Sequence, residues 1–292
     1  MSACTQTGSD PLKVLVTGSN GQLGHDLMRQ LPDRGVECQG IDIQDLDLTD
    51  REATRAYLKE YAPDVVMHCA AFTAVDRAEA EQETCKRINA DATRTIAESC
   101  RELDAVMVYI STDYVFDGEG DAPYETDAPR GPKSVYGVTK AEGEDAVTEN
   151  LHKFFLVRIS WVFGVNGKNF VRTMLRLGAE KERLNVVDDQ IGSPTYTFDL
   201  SRLLCDMIET DRYGVYHATN EGFCSWAAFA QAIMQKVGLP CRIHPIKTSE
   251  YPAAAARPLN SRLSKRSLDE AGFPRLPPWE DALERFLSQI SQ

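Results

Sequence analysis

The stretch "KVLVTGSNGQLG" occupies Lys13–Gly24. Its first half is an apolar run of the kind that forms a buried strand. Its second half carries Gly18, Gly21 and Gly24 at G-x-x-G-x-x-G spacing and opens a helical pattern over Gly21–Leu31. A strand, a glycine turn and a helix in that order make a phosphate cradle. Only small residues let backbone amides approach a pyrophosphate, and the positive end of the helix dipole faces it. An incidental glycine-rich turn has the same letters, so context decides. The context is an acid, Asp42, ending the next apolar run, "VECQGID". A carboxylate there accepts hydrogen bonds from the ribose hydroxyls of adenosine and repels a 2′-phosphate. No arginine follows before Arg51, so this feature favours NADH over NADPH. The next acid, Asp47, and Leu48 lie in "DLDLTD", beside the adenine or at the start of the following helix, with Thr49 or Asp50 as its cap.

Working outward, apolar runs and helical patterns alternate. Strands are expected at Val36–Asp42, Asp64–Ala70, Ala105–Ile110 and Phe154–Ser160, and helices at Asp50–Tyr61, Glu81–Arg101 and Val135–Asn150. Such alternation implies βαβ units and a parallel sheet. Continuous apolar strands suit a sheet covered on both faces. The expected fold class is α/β: a Rossmann-type doubly wound parallel sheet with a smaller mixed α/β substrate-binding domain. After Gly164 the pattern loosens into short strands ("LNVV", "GVYHAT"), helices at Thr197–Ile208 and Ser225–Val237, and a loop over Tyr251–Leu263. The last helix, Trp279–Ile290, sets Trp279, Leu283, Phe286, Leu287 and Ile290 on one face. The dinucleotide-binding domain is expected over residues 1–164, with part of 185–220 joining it. Residues 165–292 form most of the second domain.

Composition excludes several classes. The 292 residues hold 32 Lys plus Arg against 44 Asp plus Glu, a net charge of −12. That charge repels phosphate backbones, so no nucleic-acid polymer is expected as a partner. No run approaches the ~20 apolar residues of a membrane span. "MSACTQTGSDPLK" lacks the basic start and apolar core of a secretory signal and reads as a disordered lead-in. Eight scattered cysteines show no Cys-x-x-Cys, and a chain of this size needs no disulfide staples. Cys69 and Cys100 read as buried reduced thiols, which places the chain in the cytoplasm. Five scattered histidines show no paired ligand spacing, so no metal site is read from them.

Two further stretches carry chemistry. In "SVYGVTK", Tyr136 and Lys140 stand four apart and share a helix face. A free tyrosine has a pKa of about 10, and a nearby ammonium stabilises its phenolate and lowers that value. The pair is a general-acid candidate; on its own it is also a common pattern of solvated helices. "STDYVFDG", Ser111–Gly118, ends an apolar strand with hydroxyls and a carboxylate. Ligands of parallel sheets bind beyond the carboxyl ends of the strands. A hydroxyl there can share the charge developing on a carbonyl oxygen, and both Ser111 and Thr112 qualify. Asp117-Gly118 reads as the turn.

Together these features resemble an extended short-chain dehydrogenase/reductase. The stretches "TGSNGQLG", "AAFTAVDRAE", "STDYVFDG", "YGVTKAEGE", "RISWVFG", "VVDDQIGSPT", "SWAAFA" and "ARPLNSRL" run in order from Thr17 to Leu263. They are similar to the dTDP-4-dehydrorhamnose reductase family. The resemblance implies that Gly21, Gln22 and Leu23 of the glycine loop, with Asp42, Asp47 and Leu48, hold the cofactor, bordered by Ala71, Phe72 and Thr73. It implies a catalytic set of Thr112, Tyr136 and Lys140, so Thr112 is preferred to Ser111. Thr112 and Asp113 would touch the sugar nucleotide, and Trp161 would lie against the deoxysugar ring. The implied reaction is reduction of the C4 ketone of dTDP-4-dehydro-L-rhamnose, with NADH or NADPH, by a monomer or homodimer. Some relatives carry magnesium at a dimer interface, and no residue of this chain is assigned to it. Two positions depart from the family pattern: His68 stands where members often have asparagine, and Ala254 where many have proline.

Other readings compete. Arg257 either pairs with a substrate diphosphate, as arginine does bidentately, or is a surface charge. Gln190, Gly192, Ser193 and Pro194 form a substrate-side loop or a rigid turn. Trp226 and Phe229 read as core. Another nucleotide-sugar reductase or epimerase is the nearest alternative; a dehydratase wants a second carboxylate beside Asp113. A non-catalytic NADP-binding regulatory subunit, like the methionine adenosyltransferase β subunit, is the alternative from another class.

Overall fold

Along β1 (Lys13–Thr17) successive side chains point to opposite faces. Val14 and Val16 enter one core and Leu15 another, so both faces must be covered. The protein, described by a computed structural model over residues 12–290, meets that demand with helices on each side. The lead-in expected at the N-terminus falls mostly on residues 1–11, outside the described residues. β1 is followed by β2 (Glu37–Ile41), β3 (Val65–His68), β4 (Val106–Thr112) and β5 (Phe154–Ile159). A sixth strand, Gly214–His217, pairs with β5. All six are parallel, in the order β2–β1–β3–β4–β5–sixth strand. The order reverses at β1, which leaves a crevice at the carboxyl ends of β1 and β3.

The helices include α1 (Gln22–Asp33), α2 (Arg51–Tyr61), α3 (Val75–Ala80), α4 (Gln82–Lys86), α5 (Ala92–Leu103), α6 (Val135–Asn150), α7 (Phe170–Glu180), α8 (Thr197–Ile208) and α9 (Trp226–Val237), followed by a short helix at Arg266–Ala271. Helices α1 and α8 cover one face of the sheet through Leu27, Leu31, Leu200 and Leu204. Helices α2, α5 and α6 cover the other through Leu58, Ile96 and Val147. A separate apolar cluster gathers α7, α9 and the C-terminal helix Trp279–Ile290 around Phe163, Tyr196, Phe229 and Phe286. On that last helix Trp279, Leu283, Phe286 and Leu287 are buried, and Ile290 packs partly buried beside them. Among the described residues no helix is long and apolar enough to cross a membrane.

Two expected elements change shape. The helix read over Glu81–Arg101 starts earlier and is broken. α3 and α4 meet at Glu81, and a π-helical turn, Arg87–Asp91, precedes α5. That turn buries Asn89, whose side chain bonds both backbone groups of Phe72 (2.8 and 3.2 Å). Apolar spacing does not register such a bulge, because the reason for it is a polar contact with another segment. The strand expected to stop at Ile110 runs on to Thr112, and Asp113–Val115 then forms a single 3-10 turn.

Helix α6 is held tightly against this strand. Ser134 caps it, its hydroxyl accepting from the Gly137 amide at 3.2 Å. Glycine costs a helix interior about 1 kcal/mol. Yet a Cβ at Gly143 would collide with Tyr109 Oη and lie 2.6 Å from the Asn89 carbonyl oxygen. Glu144, 2 % exposed, anchors the helix. It accepts from Arg158 Nε and Nη2 (both 2.8 Å), from Ser111 Oγ (2.6 Å) and from Arg130 Nη1 (3.2 Å). Arg158 in turn donates to the Thr126 carbonyl at 2.9 Å.

Breaking a buried pair strands its partner's charge. Arg158→Met is therefore expected to cost about 3–5 kcal/mol in urea unfolding. Arg176→Ala, which removes an exposed pair with Glu180, should cost less than about 1 kcal/mol. Equal losses would contradict the network's importance.

Candidate active site

The crevice is a cleft of about 880 Å³. Its floor at one end is the glycine turn. Gly18 has φ +67°, and a Cβ there would lie 2.7 Å from the Ala70 amide nitrogen. Gly24 faces inward: a Cβ on it would collide with the Gly18 carbonyl and sit 2.7 Å from Ser19 Cα. Helix α1 starts at Gly21 with no side-chain cap and no acid in its first turn. Its first amides are therefore left for a ligand, with the helix dipole behind them. Asp42 lies at the rim and is fixed by two amides. Its Oδ2 accepts from Asn20 N at 3.0 Å and its Oδ1 from Ile43 N at 2.8 Å. Asp47 is held by the Thr49 amide (2.9 Å) and hydroxyl (2.8 Å), which lower its pKa. Of the two candidate caps, Asp50 caps α2, accepting from Ala53 N at 3.0 Å. A glycine cradle that a Cβ would fill, free helix amides and a fixed rim carboxylate together fit an adenine dinucleotide.

At the other end, β4 and α6 deliver the polar groups. Thr112, Asp113, Tyr114, Tyr136 and Lys140 line the cleft, with Trp161 opposite. Ser111 also reaches the wall, but its hydroxyl is committed to Glu144. The Thr112 hydroxyl donates to Asp113 Oδ1 at 2.9 Å and accepts from Tyr114 N at 3.2 Å. Asp113 Oδ2 is buried without a hydrogen-bond partner among the described residues. Trp161 adopts a left-handed backbone, φ +50°, uncommon for a bulky residue and a mark of stored strain. Its indole stacks on Trp226 at 3.8 Å and 15° and lies against Gly192.

Burial sets the titrations. It pushes the Asp113 carboxyl up to about 6, opposed by the polar side chains of Ser261 and Thr112 nearby. It pushes Lys140 down to about 7, opposed mainly by the charge of Glu144. Tyr136 is raised above its ordinary value, with the Thr112 hydroxyl as the main counterweight. The net direction is upward, opposite to the lowering expected beside Lys140. Desolvation is the largest influence on this partly buried phenol.

Several expected residues sit elsewhere. Gly24 shapes the loop from below the cleft rather than lining it. The Phe72 ring is buried against Ala78, Cys85 and Ile88, and only its neighbours Ala71 and Thr73 line the cleft. Arg257 does not line it either. Its Nη2 pairs with Asp76 at 2.5 Å and its Nη1 donates to Tyr114 Oη at 3.2 Å, while Asp76 also accepts from Ala255 N at 3.1 Å. Of the 190–194 stretch only Gln190 lines the cleft. Ser193 accepts through its carbonyl from Ser160 Oγ (2.8 Å) and donates to Gly222 O (2.7 Å). Cys69 lines the cleft half-buried, whereas Cys100 is in the core. Phe229 is core as expected, but Trp226 also reaches the cleft. Its "SW" pair at a helix start gave no hint of that, because the partner, Trp161, is distant in sequence. Asn89 and Tyr109 are further residues the motifs did not flag. Among the described residues no group of three or more His, Cys, Asp or Glu side chains is placed to hold a metal ion.

A doubly wound sheet with a glycine cradle at its switch point, and Thr112, Tyr136 and Lys140 along the same cleft, defines an extended short-chain dehydrogenase/reductase. Within that class, the family described as "RmlD substrate binding domain" matches residues 12–292, and the chain belongs to it. The spore coat polysaccharide biosynthesis protein SpsK of Bacillus subtilis is 43% identical over 280 residues, 96% of this chain and 98% of that protein. A dTDP-4-dehydrorhamnose reductase of Streptomyces griseus is 41% identical over 276 residues, 92% of this chain and 91% of that one. The crystal structure of dTDP-4-dehydrorhamnose reductase from Bacillus anthracis in complex with NADP matches with TM-score 0.93 at 41% identity, covering 96% of this chain and 99% of that one. The chain is an oxidoreductase of the dTDP-4-dehydrorhamnose reductase family, a nucleotide-sugar reductase.

Gly24→Ala is expected to force the glycine turn apart, destabilising the protein by about 1–3 kcal/mol, the usual cost of overpacking. NADH binding, followed by nicotinamide fluorescence, should weaken with it. Unchanged binding would show that the close approach of Gly24 to Gly18 does not shape the cradle.

Proposed function

We propose that this protein reduces the C4 ketone of dTDP-4-dehydro-L-rhamnose to the alcohol of dTDP-L-rhamnose, in the cytoplasm and with NADH in preference to NADPH. The observation that carries this reading is the single cleft that joins the glycine cradle and Asp42 to Thr112, Asp113, Tyr136, Lys140 and Trp161. With the dinucleotide held by the cradle, its dihydronicotinamide would supply the hydride. Burial keeps Tyr136 protonated at neutral pH, so it meets the ketone as an acid and gives its proton to the forming alkoxide. The Thr112 hydroxyl hydrogen-bonds the same oxygen and shares its charge. Lys140 holds the nicotinamide ribose, and its ammonium favours the phenolate left on Tyr136. Asp113 Oδ2, which has acceptor capacity to spare, takes a hydrogen bond from a sugar hydroxyl. The paired indoles of Trp161 and Trp226 form a flat wall for the deoxysugar ring. Arg257 is left out of this scheme because Asp76 and Tyr114 already hold it.

The cofactor preference rests on Asp42. Its two oxygens are fixed by backbone amides at the ribose end of the cradle, and a 2′-phosphate brought there would meet a carboxylate that cannot turn away. Members of the family differ in this preference, and the Bacillus anthracis structure holds NADP.

The direct test mixes the protein with enzymatically made dTDP-4-dehydro-L-rhamnose and follows the absorbance of NADH and NADPH separately. No oxidation of either cofactor overturns the proposal. Tyr136→Phe should lower turnover by about 10²–10⁴-fold, the range general acid catalysis contributes, while leaving NADH binding intact. Asp42→Ser should raise the NADPH-to-NADH ratio of kcat/KM by about tenfold, equivalent to 1.4 kcal/mol. A ratio that stays put would remove Asp42 as the selector.

A further inference from the structure

Lys140 is 2 % exposed. Among the described residues its ammonium has no hydrogen-bond or ion-pair partner. Its Nζ lies instead 4.0 Å from the centroid of the Tyr109 ring. That ring is itself fully buried and fixed from several sides. Its Oη donates to the Lys140 carbonyl at 3.2 Å, beneath the gap left by Gly143. Its edge of the core is shared with His68, whose ring stacks beside it at 6.0 Å and 24°. His68 is pinned between the hydroxyls of Thr17 (2.8 Å) and Thr93 (3.1 Å).

We infer that Tyr109 is a positioning residue for the reductase: its π face holds the Lys140 ammonium in the charged state and steers it into the cleft. The inference rests on the proposed role of Lys140 toward the nicotinamide ribose. A buried ammonium needs a compensating negative field. Glu144, one turn further along α6, supplies part of it, but its oxygens are taken by Arg158, Arg130 and Ser111. The other titratable groups around Lys140 are Cys69 after β3, Cys85 on α4, Tyr136 on α6 and the neutral His68 on β3. None of these is an anion at neutral pH: burial raises both thiols and the phenol. The face of the Tyr109 ring, 4.0 Å from Nζ, is a further source of negative potential, and such a face acts most strongly where water is excluded. Burial already brings Lys140 down to about 7. Removing the ring would carry it lower, because the charged form is the one the ring favours. The ammonium, and whatever depends on it, would then be lost at lower pH.

The test reads Lys140 directly by NMR of isotope-labelled lysine side chains in the cofactor-free protein, its signal assigned by its loss in Lys140→Met. Tyr109→Phe keeps the π face and should titrate like wild type. Tyr109→Leu should move the midpoint down by about one pH unit, the size expected of a desolvated cation–π contact. Phenylalanines carrying one, two or three ring fluorines keep the shape while draining the π face. They should lower the midpoint in that order, and they decide the matter if the Leu variant does not fold. The alkaline limb of NADH binding should shift in parallel. A midpoint that stays fixed through the fluorinated series overturns the inference, as does a Phe variant that shifts as far as Leu. An ordered series without ketone reduction overturns the proposed reaction and still supports the role of Tyr109.

Discussion

The buried carboxylate of Glu144 is the constraint around which the catalytic end of the cleft is arranged. Four donors from three segments converge on it: Arg158 from β5, Ser111 from β4 and Arg130 from the connection into α6. With its oxygens all engaged, α6 cannot slide or rotate on the sheet without stranding charge in the interior. Tyr136, Lys140 and Glu144 follow at intervals of four and so share a face. Fixing the last fixes the first two at the cleft. The same carboxylate also separates two adjacent hydroxyls. Ser111 is taken by Glu144, and Thr112, on the opposite side of the strand, bonds Asp113 and the Tyr114 amide at the cleft wall.

The two ends of the cleft use different physics. At the cradle, the work is done by absent side chains: close backbone approach leaves amides for an anion, and Asp42 is held by amides of its own. At the catalytic end, the work is done by burial. Desolvation pushes Asp113 and Tyr136 toward their protonated forms and Lys140 toward its neutral one. Each group is thereby brought away from its solution behaviour, and neighbouring groups oppose the shift in part. Between the ends stands Trp161, whose unusual backbone persists because Trp226 stacks on it and Thr195 N bonds its carbonyl at 3.1 Å.

Local patterns were readable where their cause is local. The helices Val135–Asn150, Thr197–Ile208 and Trp279–Ile290 have the bounds expected of them, because apolar spacing and caps are written in consecutive residues. The strand-turn-helix of the cradle follows for the same reason. Less was readable where the cause is a partner far along the chain. The π-helical turn exists for a contact between Asn89 and Phe72. Arg257 stood open between a diphosphate contact and a surface charge, and it pairs with Asp76, 181 residues away. Trp226, expected in the core, packs on the core cluster and also stacks on Trp161 at the cleft.

By itself, then, the sequence determined the alternating α/β order, the glycine cradle with its acid, and the residue types of the site, since hydrophobic period, turn chemistry and helix spacing act over a few residues. Only the tertiary structure decided which hydroxyl of "STDYVFDG" Glu144 engages, which way the titrations move, and what surrounds the Lys140 ammonium. Those outcomes depend on burial and on pairings across β4, β5 and α6, and no short stretch of chain contains either.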